Sequence, residues 1–217
     1  VRPLDPTLYV VTDTAQCGGP DRVVATVAAA VAGGATAVQL RDPGSTTRDL
    51  VALAEALLAV TRPAGVPLVV NDRVDVALAV GADGAHVGQS DLDPVRARRL
   101  LGPEAHLGLS VSTPAQARAA AALPPGTVDL LGVGPLRATS TKPDAAPPFG
   151  PAGLAALCAA STLPCVVIGG VTAADAAPAR AAGAAGLAVV SAVCGAASPA
   201  DAAAELVAAW HDARGAA

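Results

Sequence analysis

Methionine is absent from the 217 residues, and lysine, asparagine, tyrosine, phenylalanine and tryptophan occur once each. With Tyr9, Phe149 and Trp210 as the only aromatics, a core must be assembled from Val, Leu, Ile and Ala. The hydrophobic fraction of 53% supplies enough of them. Thirteen of the fourteen basic residues are arginine and the net charge is −4, so no basic stripe exists to neutralise a phosphate backbone, and a nucleic-acid partner is not expected. A small anionic ligand remains compatible with that balance, because its binding depends on local cations and backbone amides. No segment of 18 residues is uninterruptedly apolar, and no basic, apolar and cleavable leader pattern opens the chain, so no membrane partner is expected. Cys17, Cys158, Cys165 and Cys194 form no C-x-x-C pair and have no histidine at metal-ligand spacing. Cys165 and Cys194 read as small buried hydrophobes, and the whole pattern fits a reducing cytoplasm.

What is present is a regular alternation. Short apolar runs at 8–12, 37–40, 68–71, 84–88, 106–110, 130–133, 165–169 and 186–191 are separated by Ala-rich stretches at 21–33, 46–61, 73–80, 93–101, 114–122, 150–160, 173–182 and 198–213. Thr113 before Pro114 and Ser198 before Pro199 have the form of helix starts. Gly33, Gly81 and Gly183 stand where helices give way to the next strand. Continuous Val/Ile/Leu runs joined by helices indicate a parallel sheet buried on both faces. Eight such units without a break in composition favour a single (β/α)8 TIM barrel over 1–217, of the α/β class, rather than an open sheet. The oligomeric state is left open, with a homo-oligomer compatible.

In such a barrel, polar residues at the C-terminal strand ends converge on one mouth. Asn71 and Lys142, the single residues of their kinds, both follow apolar runs, and compositional drift explains their scarcity but not their positions. The same reading gathers Gln39, Arg41, Asp72, Gln89, Asp91, Ser110, Thr139 and Thr141. Two carboxylates, two cations and an amide suit a Mg²⁺–pyrophosphate site, since Mg²⁺ takes one or two carboxylates and completes its shell with phosphate oxygens and water. Asp72 and Asp91 are the natural pair. Gly169–Gly170 and Val190–Ser191 offer backbone N–H groups after strands seven and eight, the usual phosphate cradle of this fold. Tyr9 either packs as core or faces a heteroaromatic substrate, and His86 reads as a supporting rather than a catalytic histidine.

The segments Leu8-Tyr-Val-Val-Thr-Asp13, Val38-Gln-Leu-Arg-Asp42, Val70-Asn-Asp-Arg73, Asp83-Gly-Ala-His-Val-Gly-Gln-Ser-Asp91, Gly108-Leu-Ser-Val111, Gly132-Val-Gly-Pro135, Thr139-Ser-Thr-Lys142 and Ile168-Gly-Gly-Val171, in this order, resemble the thiamine-phosphate synthase family. The resemblance spans nearly the whole chain. It implies a transferase that joins a hydroxymethylpyrimidine diphosphate to a thiazole phosphate with Mg²⁺, releasing pyrophosphate. It further implies that Asp72 and Asp91 hold the metal, that Arg41, Asn71 and Lys142 bind the diphosphate, and that Tyr9, Gln39 and Ser110 face the pyrimidine. Thr139, Thr141, Gly170 and the Val190–Ser191 amides fall to the thiazole phosphate, Gly169 is a further substrate-binding position, and Lys142, Arg41 and Ser110 form the catalytic set.

Two positions depart from the family pattern. The lysine usual after strand two is Pro43, and the aromatic usual in the loop after strand six is Arg137. Arg137 reads either as the replacement cation for the diphosphate or as a solvated residue on the outside of a Pro-rich loop. Two competing readings remain. A thiazole tautomerase on the same barrel uses a histidine two residues past the strand-five serine, where this chain has Ser112. A non-catalytic paralogue that binds a thiamine precursor draws its support from Pro43.

Overall fold

The computed structural model describes residues 2–139, 141 and 146–213. Eight parallel strands close into a barrel: β1 (Leu8–Val11), β2 (Ala37–Leu40), β3 (Leu68–Asn71), β4 (Gly84–Val87), β5 (His106–Val111), β6 (Leu130–Val133), β7 (Cys165–Val167) and β8 (Gly186–Val189). Each strand pairs with the next in sequence, and β8 returns to β1 through Tyr9 opposite Ala188. The helices are α1 (Pro20–Ala32), α2 (Thr47–Thr61), α3 (Val74–Val80), α4 (Pro94–Leu101), α5 (Pro114–Ala121), α6 (Gly150–Ala159), α7 (Ala176–Ala181), α8 (Ser191–Cys194) and α9 (Pro199–Asp212). A 3₁₀ turn, Ala173–Asp175, leads into α7. The helix starts read from the sequence are real caps: Thr113 and Ser198 accept the N–H groups of Gln116 and Asp201.

Side chains alternate across each strand, so every strand gives one set to the barrel interior and one to the helices. The outward set includes Val10, Val38, Leu40, Val70, Leu107, Leu131, Val167 and Leu187, which form the main core with the helices. The inward set is smaller: Tyr9, Ala37, Val69, Leu130, Val166 and Ala188 make a second, separate cluster. The next inward position up on β2, β3 and β5 is Gln39, Asn71 and Ser110, because a two-residue period keeps them on the same face. Alternation therefore carries the interior from an apolar floor to a polar mouth.

Two differences from the sequence reading concern strand ends. The last apolar run does not continue as strand to Ser191; the chain turns at Val190 (φ −116, ψ −81) and Ser191 opens α8. The segment expected as one helix over 173–182 begins with the 3₁₀ turn, because Asp175 folds back to accept the Thr172 N–H and hydroxyl.

Candidate active site

A cavity of about 490 Å³ opens at the C-terminal ends of the strands. It is lined by Tyr9, Gln39 and Arg41 from the first two strands and by Asn71, Asp72, Gln89 and Asp91 from the next two. Ser110, Thr139, Thr141, Gly169, Gly170, Val190 and Ser191 complete the wall. Lys142 lies outside the described residues. The structure thus brings together every other residue singled out from the strand ends, and Ser112, the position of the tautomerase histidine, also faces the cavity.

Each polar group is held by local chain geometry. Arg41 continues the β2 ladder: its N–H donates to Thr12 Oγ1 at 2.9 Å, and the Thr12 hydroxyl donates to the Arg41 carbonyl at 3.1 Å. Its guanidinium reaches across the mouth and donates to the Thr141 carbonyl at 3.2 Å. Asp72 is the one described non-glycine residue with positive φ, at 60°. Aspartate tolerates this left-handed region better than most residues. The turn is fixed by the Asp72 N–H donating to the His86 carbonyl at 2.7 Å. Asp91 Oδ2 accepts the Gly88 N–H at 2.7 Å. A Cβ on residue 88 would stand 2.8 Å from that oxygen, so glycine is what lets the carboxylate settle over the strand end.

Lower in the barrel, His86 Nε2 is 2.9 Å from Ser110 Oγ, and the Gln89 amide donates to the Ser110 carbonyl at 2.7 Å. Space for the imidazole comes from Gly108 and Gly132, where added Cβ atoms would lie 2.2 and 3.0 Å from the ring. His86 is buried, and its ring lies within hydrogen-bond distance of Ser110. Burial pushes the Tyr9 phenol well up, with the Gln39 amide hydrogen bond at 3.4 Å offsetting a part, so Tyr9 stays neutral. Tyr9 packs as core in the interior cluster and is at the same time part of the cavity lining.

Arg137 is exposed, as the solvated reading has it, but its guanidinium is ion-paired. It is absent from the cavity wall, whereas Pro43 is part of it. Its guanidinium is bound to Asp175 through two contacts, at 2.7 and 2.5 Å, and donates to the Gly170 carbonyl at 3.0 Å. It is therefore neither solvated alone nor aimed at a ligand. Burial pushes the Asp175 carboxyl up, but the Arg137 guanidinium and the Thr172 N–H and hydroxyl outweigh it and hold the group below its ordinary range. Asp175 escaped notice in the sequence, although Thr172-Ala-Ala-Asp175 has the spacing of a capping box, which is what forms.

Among the described residues no three His, Cys, Asp or Glu side chains come together as a metal cluster. Two carboxylates at one mouth, with the lining imidazole of His86 engaged by Ser110, suit a hard cation that takes most of its ligands from substrate and water. Among the described residues, all four cysteines are free thiols, and no helix is long and apolar enough to cross a membrane.

A parallel (β/α)8 barrel whose mouth carries Arg41, two carboxylates, a glycine turn after β7 and the Val190–Ser191 turn after β8 has the form of a phosphate-handling barrel enzyme. A family model described as thiamine monophosphate synthase matches residues 8–193. A thiamine-phosphate synthase of Laribacter hongkongensis is 51% identical over 205 residues, covering 94% of this chain and 95% of the relative. One from Xanthobacter autotrophicus is 51% identical over 213 residues, covering 98% and 99%. The solved thiamine phosphate pyrophosphorylase of Pyrococcus furiosus superposes with a TM-score of 0.85 at 32% identity, covering 97% of this chain and 98% of that one. The chain belongs to the thiamine monophosphate synthase family, whose members condense a pyrimidine and a thiazole moiety into thiamine phosphate. Neither the tautomerase nor the sensor reading is favoured by these relatives.

Proposed function

We propose that this cavity joins a hydroxymethylpyrimidine diphosphate to a thiazole phosphate, with the residues of the mouth divided between leaving group, ring and acceptor. The observation that supports this most is the union in one cavity of Arg41, Asn71, Asp72 and Asp91 with the Gly169–Gly170 turn after β7 and the Val190–Ser191 turn after β8. Arg41 and Asn71, with Lys142, bind the diphosphate. Tyr9, Gln39 and Ser110 receive the aminopyrimidine, and Ser110 is pre-oriented by His86. Thr139, Thr141, Gly169, Gly170, Val190 and Ser191 hold the thiazole phosphate through hydroxyls and backbone N–H groups.

In this reaction the methylene C–O bond breaks and pyrophosphate leaves with the bonding pair. The electron-rich aminopyrimidine shares the positive charge left on the methylene carbon. The thiazole nitrogen then supplies its lone pair to form the C–N bond, and it has no proton to lose. No general base is required, and what remains for the protein is to stabilise charge on the departing diphosphate with fixed cations and donors. Asp72 and Asp91 would hold Mg²⁺, which would neutralise phosphate oxygens and lower the barrier to departure. The setting we assign to this chemistry is a reducing cytoplasm, a reading that the four free thiols support.

The test is direct. Purified protein given both substrates and Mg²⁺ is expected to form thiamine phosphate and pyrophosphate in equal amounts, and Arg41→Ala to lower turnover by about a hundred-fold or more, the scale at which a lost transition-state donor is felt. Binding of either substrate without any product would reverse the assignment in favour of the sensor reading.

A further inference from the structure

The contacts of Arg137 give it a role at a distance from the ligand. β6 and β7 continue to pair beyond their strand ends: the Leu136 N–H donates to the Ile168 carbonyl at 2.8 Å and the Arg137 N–H to the Gly169 carbonyl at 3.0 Å. At the far side of the same loop, the Phe149 and Gly150 N–H groups donate to the Pro135 and Leu136 carbonyls at 3.2 and 3.1 Å. The loop that carries Thr139 and Thr141 is thus pinned at both ends. Gly169 and Gly170 take φ values of 97° and 66°, and an added Cβ on them would stand 2.6 Å from Pro135 and 3.1 Å from Arg137. The turn after β7 and the loop after β6 therefore meet without space between them.

Arg137 closes this junction from behind. Its guanidinium binds the Gly170 carbonyl and both oxygens of Asp175, a carboxylate only 5% exposed that is itself anchored by the Thr172 N–H and hydroxyl. A planar fork engaged by a carboxylate on two atoms fixes orientation as well as distance. Gly170, Thr139 and Thr141 face the cavity, while Arg137 and Asp175 do not. The arginine side chain is 50% exposed, so the pair adds little to global stability, and its consequence is local.

We propose that Arg137 is a positioning residue for the thiazole phosphate: clamped on Asp175, it holds the Gly170 turn and the Thr139–Thr141 loop in register as two halves of one anion-binding wall. This rests on the reading in which Thr139, Thr141 and Gly170 receive that phosphate. A clamp lost from behind the wall lets its donors drift, which weakens the acceptor substrate most; the diphosphate keeps its partners on β3 and β4 and is affected only through the Arg41–Thr141 contact and the neighbouring Lys142.

Steady-state kinetics of the full chain, varied separately in each substrate, tests this with Arg137→Ala, Asp175→Asn, their double variant, Arg137→Lys and, as a control on the underlying reading, Thr139→Val. Each single clamp variant is expected to raise KM for the thiazole phosphate about ten-fold, and the double variant by the same factor rather than its square, since both members act through one contact. KM for the pyrimidine diphosphate rises by a clearly smaller factor, passed on through the Arg41–Thr141 contact, and Arg137→Lys recovers part of the loss because a single ammonium cannot span both oxygens. A raised thiazole-phosphate KM in Thr139→Val with unchanged kinetics in Arg137→Ala would overturn the clamp and leave the wall assignment intact. Thr139→Val acting on the pyrimidine diphosphate alone would remove the wall assignment and the clamp with it. Arg137→Ala acting on the diphosphate alone would make Arg137 a direct ligand of the leaving group and overturn the proposal.

Discussion

Pro43 faces the cavity at the position where the family carries a lysine, and the structure supplies no substitute from Arg137, which is committed to Asp175. On the proposed assignment, the diphosphate end therefore has one cation fewer than the resemblance implies. Pro43→Lys is expected to lower KM for the pyrimidine diphosphate about three- to ten-fold at low salt, with a smaller gain at high salt, because an added charge at a solvent-open mouth is screened. Titrating KM against ionic strength in parent and variant measures this. An unchanged KM at both salts would mean that Arg41, Asn71 and Lys142 already saturate the diphosphate. The two aspartates invite a sharper outcome: Asp72→Asn, which keeps tolerance of the left-handed backbone, and Asp91→Asn are expected to reduce turnover by about a hundred-fold or more and to abolish Mg²⁺ stimulation, with little change in melting temperature. Stimulation by Mg²⁺ that survives in both variants would take the metal away from these carboxylates.

At the scale of elements, the strand β5 is built around its neighbour's histidine. Gly108→Ala would put a methyl group 2.2 Å from His86 Nδ1, so the ring must move and take its contact with Ser110 along. Overpacking of this kind costs about 1–3 kcal/mol, and the accompanying loss of kcat is expected near ten-fold. Adding His86→Ala removes the clash, so thermal stability should partly return in the double variant while kcat does not. Full recovery of kcat would show that Ser110 needs no partner in the barrel. The turn between β7 and α7 gives a pH-dependent counterpart. Asp175 is held below its ordinary range in the folded chain, so its contribution is complete above about pH 4 and is lost as pH falls through the depressed folded value. The melting temperature of the parent should exceed that of Asp175→Asn at neutral pH, and the gap should close as pH drops below about 4. A gap independent of pH would assign the difference to hydrogen-bond geometry rather than charge.

For the whole molecule, barrel closure depends on how near β8 and the segment before β1 can approach. A Cβ on Gly186 would lie 1.6 Å from the Pro6 carbonyl oxygen, a backbone atom that cannot rotate away. Gly186→Ala is expected to destabilise by about 3 kcal/mol or more, roughly 6–12 °C in melting temperature for a domain of this size. Far-ultraviolet circular dichroism melts of parent and variant check this. A drop under about 2 °C would show that the closing strands have slack.

Much of this architecture is legible in one dimension because it is periodic. Eight apolar runs, each followed by a helix-length segment, count the barrel. The two-residue period within a run says that Gln39 and Arg41 share a face, and the polar residue where a run ends says where the mouth is. Asn71, Asp72, Asp91 and Ser110 were all found by that rule. Its failures are also periodic in origin: α8 spans only Ser191–Cys194, too few residues for any helical pattern, so Ser191 was read as the end of a strand. The partner of Arg137 could not be read at all. Asp175 is 38 residues away, and whether a guanidinium on a loop turns to substrate, to solvent or to a carboxylate depends on which group the fold delivers within about 3 Å. Local pattern determined the barrel and the chemistry of its rim; only closure of the ring, which sets β6 against β7 and Gly108 under His86, decided which rim charges meet the ligand and which hold one another.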